Sequence, residues 1–298
     1  MSLFIILIFL TSVFLVRVNG DYNISNNYTQ WGSNNISNNS IAWGLKTFDA
    51  YYSYLWGLDH FSVNPEGTLV ALKFDKYSGA GFRSKLEYGY GVFSIRMKIP
   101  SKKTGGIVTN VYLTSAPDNQ DPGNHFELDY EFLGTNGTVQ TNVYDNDTGN
   151  RQQSINLWFD PKQDFHTCEF LWNPYHIVFS IDGIPIREFK NNMAHGVAYP
   201  KKPMHIEASI WNADWAGVVD WSHAPFIAYY SGFSLYACTP NGDDISPCGS
   251  EKYFWNGPQY RQLDPKKKQL MDSYRRKYMS YDYCWKPSTQ KKECSLNN

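Results

Sequence analysis

Between Tyr51 and about Tyr236 the chain is cut into short β-branched and aromatic runs, among them residues 68–74, 91–99, 177–181 and 204–211, separated at regular intervals by turn residues. Such runs form strands, and their even spacing without helical periodicity implies an all-β sandwich or jelly roll. The 298 residues are enough for one such domain with a sizeable core and an extension. After Cys238 the pattern changes. Asp264 and Pro265 read as a helix cap and first turn, and Leu270, Tyr274 and Tyr278 recur at helical spacing. One amphipathic helix is expected there, its basic face a solvated surface. No internal repeat is present.

The first twenty residues stand apart. An apolar run over residues 3–16 is followed by Arg17 and then Val18, Asn19 and Gly20, a pattern that reads as a secretory signal cleaved after Gly20. The run falls short of the roughly 20 apolar residues that span a bilayer, and no later stretch approaches that length, so no membrane span is expected. A basic n-region is missing and Arg17 follows the run, which leaves a retained signal anchor as the alternative. Residues 21–45, dominated by Asn, Ser and Gly, lack the apolar content that offsets ordering entropy and are expected to form a glycosylated, mobile arm. Acceptor sequons occur at Asn23, Asn27, Asn35, Asn38, Asn136 and Asn146. Asn136 is the preferred site, because residues 134–137 read as an exposed turn.

Secretion places the five cysteines in an oxidising compartment and leaves one unpaired. Cys238 with Cys248, and Cys284 with Cys294, each close a short loop, whereas Cys168 lies in a strand-like run. Two C-terminal disulfides and a buried free Cys168 are expected, with other pairings open. A net charge of −1 gives no field to hold nucleic acid or an anionic membrane, so a neutral partner is favoured. The frequent Tyr and Trp rings suit sugar faces as well as ordinary cores. The seven histidines are scattered among strands and none joins acids at ligand spacing, so neither a metal nor a cofactor is expected.

Residues 124–133 concentrate the chemistry. Phe126, Leu128, Tyr130 and Phe132 fall on one face of a strand, and His125, Glu127, Asp129 and Glu131 on the other. An ordinary half-buried strand with a wet outer face is the alternative reading, but three acids in a row repel one another at a cost that Thr, Ser or Lys would avoid. A retaining glycosidase requires such crowding: a nucleophilic carboxylate and a protonated acid about 5 to 5.5 Å apart. The Cα atoms of Glu127 and Glu131 lie roughly 13 Å apart on a straight strand, so the sheet must be concave and twisted for them to cooperate. Crowding also splits the titrations and keeps one carboxyl protonated near neutral pH. Asp129, between them, can hydrogen-bond Glu127. His125 borders the acidic face and either orients Glu127 or is a satisfied strand histidine.

His125-Phe-Glu-Leu-Asp-Tyr-Glu-Phe-Leu-Gly134 resembles the active-site signature of the plant xyloglucan endotransglucosylase/hydrolases, H-D-E-I-D-F-E-F-L-G. Further likeness lies in residues 77–82, 140–142, 157–161, 164–166, 185–187, 209–213 and 221–226 and in the Cys-bearing C-terminal segment, covering roughly residues 50 to 294. The resemblance implies a concanavalin-like jelly roll over residues 46–237, with an open cleft that a C-terminal extension over residues 238–298 lengthens. It implies Glu127 as nucleophile, Asp129 as its helper and Glu131 as acid/base. Gln140, Thr141, Asn142, Arg151, Asp214, Trp215 and Gly217 take the substrate-contacting positions, and Trp211 or Tyr77 is placed to stack on a glucosyl ring or to fill the core. Asn136 matches the family's glycosylation site.

Three positions depart from the family. Phe126 replaces an aspartate but points away from the acidic face by alternation. Residues 214–221 are shorter than the usual acceptor-side loop, and residues 150–152 match the family's turn only in part. The implied protein is a secreted, monomeric cell-wall enzyme that cleaves xyloglucan and passes the chain to a glucan acceptor or to water. A lectin-like binding module and an enzyme for cellulose or mixed-linkage glucan are the alternatives.

Overall fold

The structure, a computed structural model, describes residues 41–116, 124–146, 148–286 and 291–296. The signal-like segment, the arm up to residue 40 and the sequons at Asn23, Asn27, Asn35 and Asn38 lie outside the described residues. Strands β1 (Ile41–Leu45), β3 (Phe61–Val63), β4 (Leu69–Phe74), β6 (Gly91–Lys98), β11 (His166–Trp172), β12 (His176–Ile181), β13 (Ile184–Lys190) and β15 (Phe226–Cys238) form one antiparallel sheet. Its order is β13-β12-β11-β6-β15-β4-β3, with β1 also on β15. The second sheet contains β2 (Tyr52–Trp56), β5 (Ala80–Ser84), β7 (Ile107–Thr114), β8 (Glu127–Leu133), β9 (Thr138–Tyr144), β10 (Gln153–Asn156), β14 (His205–Asn212) and β16 (Met279–Asp282), ordered β16-β10-β9-β8-β7-β14-β5-β2. Helices are short, α1 (Phe48–Tyr51) and the C-terminal α2 (Pro265–Tyr278). The all-β sandwich read from the strand spacing is the observed fold.

Alternation builds the core. Leu128, Tyr130 and Phe132 of β8 are fully buried, and Tyr130 meets Phe170 of β11 edge-on at 4.8 Å and Phe179 of β12 at 5.3 Å. The Tyr130 hydroxyl donates to the carbonyl of Ser180 at 2.9 Å, so this buried ring carries no unsatisfied polar group. Phe126 is buried as well, on the side away from the acids. The long strand β15 bends where its pairing with β6 slips between Ser231 and Ser234, and Gly232 there takes a φ of 62°, the left-handed region a bulge favours.

Both ends of the sandwich differ from the compositional boundaries. Residues 41–45, grouped above with the polar arm, form β1 and pair from Ile41 with Cys238 to Leu45 with Ser234. The partner is supplied by a strand almost 200 residues later, which local composition does not reveal. At the other end β16 joins β10 and becomes the edge of the second sheet, so the extension completes that sheet. Asp264 caps α2 by accepting from the backbone N–H groups of Lys266 and Lys267. Cys238 is bonded to Cys248, Cys284 to Cys294, and Cys168 is buried and free.

Candidate active site

The second sheet curves around a cleft of about 750 Å³. Its lining comes from strands as far apart as β2 (Trp56) and β16 (Tyr281), which is the concavity that the carboxylate strand requires. Glu127, Asp129 and Glu131 all face it. Register fixes their neighbours: Glu127 lies between Thr114 and Tyr144, Asp129 between Tyr112 and Asn142, and Glu131 between Asn110 and Gln140. Immediately after β8, Gly134 and Gly137 adopt φ values of 58° and 76° and turn the chain tightly into β9. A Cβ at Gly134 would stand 2.8 Å from the Thr104 carbonyl oxygen, so the turn depends on glycine. Asn136 sits exposed at its tip.

The three acids are unequal. Burial raises Glu127, against the hydrogen bond from Thr114, the charge of His125 and a hydrogen bond from Asp129. Asp129 is held well above the usual carboxylate range by burial, then by the charges of Glu127 and Glu131, and its hydrogen bond to Glu127 keeps its proton in place. Glu131 is pushed up to about 7 by burial and by the charge of Glu127. The arrangement thus has Glu127 held by donors from Thr114 and Asp129, an Asp129 that keeps its proton more tightly than an ordinary carboxyl, and a Glu131 that holds its proton up to neutrality. His125 Nε2 lies 3.7 Å from Glu127 Oε2, and its ring rests against Tyr144.

Of the other sequence-derived positions, Gln140, Asn142 and Trp215 line the cleft. Trp211 lines it too and meets Trp215 edge-on at 6.2 Å. Thr141 does not: alternation between two cleft-facing neighbours turns it into the core, where its carbonyl and hydroxyl oxygens accept from Arg187 Nη1 at 3.0 Å. Arg151 is also withdrawn. It is buried, its Nε donating to Glu293 Oε1 at 2.5 Å and its Nη1 to the Thr148 carbonyl at 2.8 Å. Asp214 and Gly217 are exposed and frame the short turn that carries Trp215 without lining the cleft themselves. Tyr77 is exposed beside Lys76, outside the cleft lining.

Sequence reasoning missed Tyr112, Tyr144, Ser209 and Asn110, all of which line the cleft. Period-2 alternation would have found them once their strands were placed beside β8. Trp56 and Tyr281 carried no local signal, because only the sheet order brings the first and last strands to one trough. Among the described residues no cluster of three His, Cys, Asp or Glu could hold a metal, and no helix is long and apolar enough to cross a membrane.

The sequence profile of glycosyl hydrolases family 16 matches residues 48–229. Xyloglucan endotransglucosylase/hydrolase protein 3 of Arabidopsis thaliana is 45% identical over 263 residues, covering 83% of this chain and 88% of that protein. Among solved structures, a Bacillus licheniformis β-glucanase is similar with a TM-score of 0.52 and 26% identity, covering 68% of this chain and 94% of its own. The Crh5 transglycosylase in complex with NAG has a TM-score of 0.53 and 25% identity, covering 65% and 80%.

Proposed function

The chain belongs to glycosyl hydrolase family 16, within the plant xyloglucan endotransglucosylase/hydrolases, and from that premise we propose that Glu127, Asp129 and Glu131 cleave and religate xyloglucan by double displacement. In the first half, a Glu127 carboxylate oxygen attacks the anomeric carbon of a backbone glucosyl unit while Glu131 gives its proton to the departing glycosidic oxygen. The products are a glycosyl ester on Glu127 and a free chain end. In the second half Glu131, now anionic, takes the proton of an incoming hydroxyl, whose oxygen displaces Glu127. If the hydroxyl belongs to a second glucan chain, the linkage is remade; if it belongs to water, the chain is hydrolysed.

The observation that carries this reading is that Glu127, Asp129 and Glu131 face one cleft from one strand, with Glu131 pushed up to about 7 by burial and by the charge of Glu127. Asp129 shares its proton with Glu127 and tempers that charge as the ester forms and breaks. A cleft of about 750 Å³ lined by Trp56, Trp211 and Tyr281 suits a neutral sugar polymer, and this reading calls for no cofactor. Gln140, Asn142 and Trp215 are the substrate contacts of this reading. Two disulfides and the exposed Asn136 sequon support secretion into the cell wall, with a glycan at Asn136.

Incubation with xyloglucan and a fluorescent xyloglucan oligosaccharide, following labelled polymer and new reducing ends together, tests the reading. Label should enter the polymer, and Glu127→Ala should abolish both signals while glucan binding persists. Turnover that survives Glu127→Ala overturns the catalytic assignment, and labelling with cellulose or mixed-linkage glucan but not xyloglucan overturns the substrate.

A further inference from the structure

A fourth carboxylate lies on the cleft face of the second sheet, just outside the cleft lining. Glu207 of β14 is buried, and Arg83 of β5 donates to its Oε1 from Nε at 3.0 Å and also from Nη2. Its Oε2 accepts the phenolic proton of Tyr112 at 2.5 Å. Tyr112 stands between the two acid sets, paired across the sheet with Asp129 on one side and Glu207 on the other. A phenol has one proton to donate. Directed to Glu207, that proton is withheld from Glu127 and Asp129, and each further donor to a carboxylate lowers its basicity.

We propose, on the reading that Glu127 is the nucleophile, that Arg83, Glu207 and Tyr112 act as a positioning relay: Glu207 draws the Tyr112 proton away from the nucleophile, and Arg83 cancels the charge that Glu207 brings. The groups facing Glu127 are His125, Asp129 and Glu131 on its own strand, Tyr112 on β7 and Tyr144 on β9. Beyond Tyr112 lie Glu207 and His205 on β14 and Arg83 on β5. Burial and the neighbouring Arg83 hold His205 below its ordinary pKa, so it adds no charge near neutrality. The Arg83 and Glu207 pair therefore sets the balance on this side of the nucleophile, and its two halves oppose each other.

The acid limb of the kcat/KM profile reports the ionisation of the free enzyme's nucleophile. Glu207→Gln leaves Arg83 uncompensated and frees the Tyr112 proton, both of which favour anionic Glu127, so the limb moves to lower pH. Arg83→Met leaves Glu207 uncompensated and moves it to higher pH. Each shift should be about half to one pH unit. The double variant should return near the parent profile, and Arg83→Lys should restore it, which a purely structural role would not produce. Thermal melts of each variant confirm that folded protein is compared. Limbs that move together, or a Glu207→Gln limb that stays in place or rises, overturn the relay. If Glu127→Ala still turns over substrate, it is the catalytic reading that has failed.

Discussion

On the cleft floor three carboxylates share one strand face with His125 alongside, whereas behind the C-terminal edge buried charges of opposite sign are paired. There Arg151 is paired with Glu293 and Asp145, and Arg275 with Asp282, which also accepts from Gln153. The second cluster joins β9, β10 and the turn after β9 to the chain's last segments, close to the Cys284–Cys294 bridge. Like charges held together cost stability, and removing one relieves the rest. Opposite charges buried together do the reverse, because removing one strands its partner in a medium of low dielectric. One cluster is organised for reaction and the other for anchoring the extension that supplies β16 and Tyr281 to the cleft.

The largest effect that separates them is Glu127→Ala. Transfer activity should fall at least ~10³-fold, while folding stability stays level or rises by about 0.5–1 kcal/mol through relieved repulsion, leaving the melting temperature level or higher. A label-transfer assay and a thermal melt on the same preparation check both halves. The mirror image is Arg151→Met, which leaves Glu293 buried without its cation. Folding stability should drop by about 3–5 kcal/mol, read by urea denaturation, with kcat nearly unchanged wherever the protein remains folded. A raised KM without lost stability would return Arg151 to the substrate-contacting role that the sequence suggested.

The pH dependence sharpens the contrast. Glu131 is needed protonated, so activity should decline as pH rises through about 7. The same group affects stability. Its folded pKa lies above the unfolded value, so between about 4.5 and 7 the folded chain binds more protons than the unfolded one. Stability from this group is fully present below that window and is lost across it as pH rises. Glu131→Gln should therefore flatten the melting temperature between pH 4.5 and 7 and remove the basic limb along with most of the activity. A melting curve that keeps its slope in that variant would place the titration elsewhere.

How far these regions could be read from sequence follows the same division. The acid strand was legible because alternation is a local property: Phe126 to Phe132 name the core face and the acids the other, whatever strands lie beside them. The helix at 265–278 and its Asp264 cap were legible for the same reason, and so were the two disulfides, each spanning only ten residues. Thr141 and Arg151 lie buried outside the cleft lining, which resemblance to a contact motif does not foretell because it does not say which alternate residues face outward. Alternation through 140–142 would have assigned Gln140 and Asn142 to the cleft and Thr141 to the core. Arg151's partner Glu293 and Glu207's partner Arg83 are each more than 120 residues away, a separation over which side-chain type alone carries no pairing information.

Trp56 poses the smallest test. It stands at the β2 edge of the cleft, 36% exposed, with no hint of its role in the neighbouring sequence, and its indole lies against Gly81, where an added Cβ would meet Nε1 at 2.5 Å. Glycine on β5 thus leaves room for the indole beside the strand while Trp56 lines the trough. Covering such a face with a sugar ring contributes about 1–2 kcal/mol. Trp56→Ala should raise KM by about 5- to 30-fold for one of the two chains, with kcat and the pH limbs in place, since the ring touches none of the acids. Measuring KM separately for polymer and labelled oligosaccharide shows which of them crosses the β2 edge. An equal change for both, or a change in kcat alone, would mean that Trp56 shapes the floor instead of gripping sugar, and the edge strand would then belong with the anchoring region.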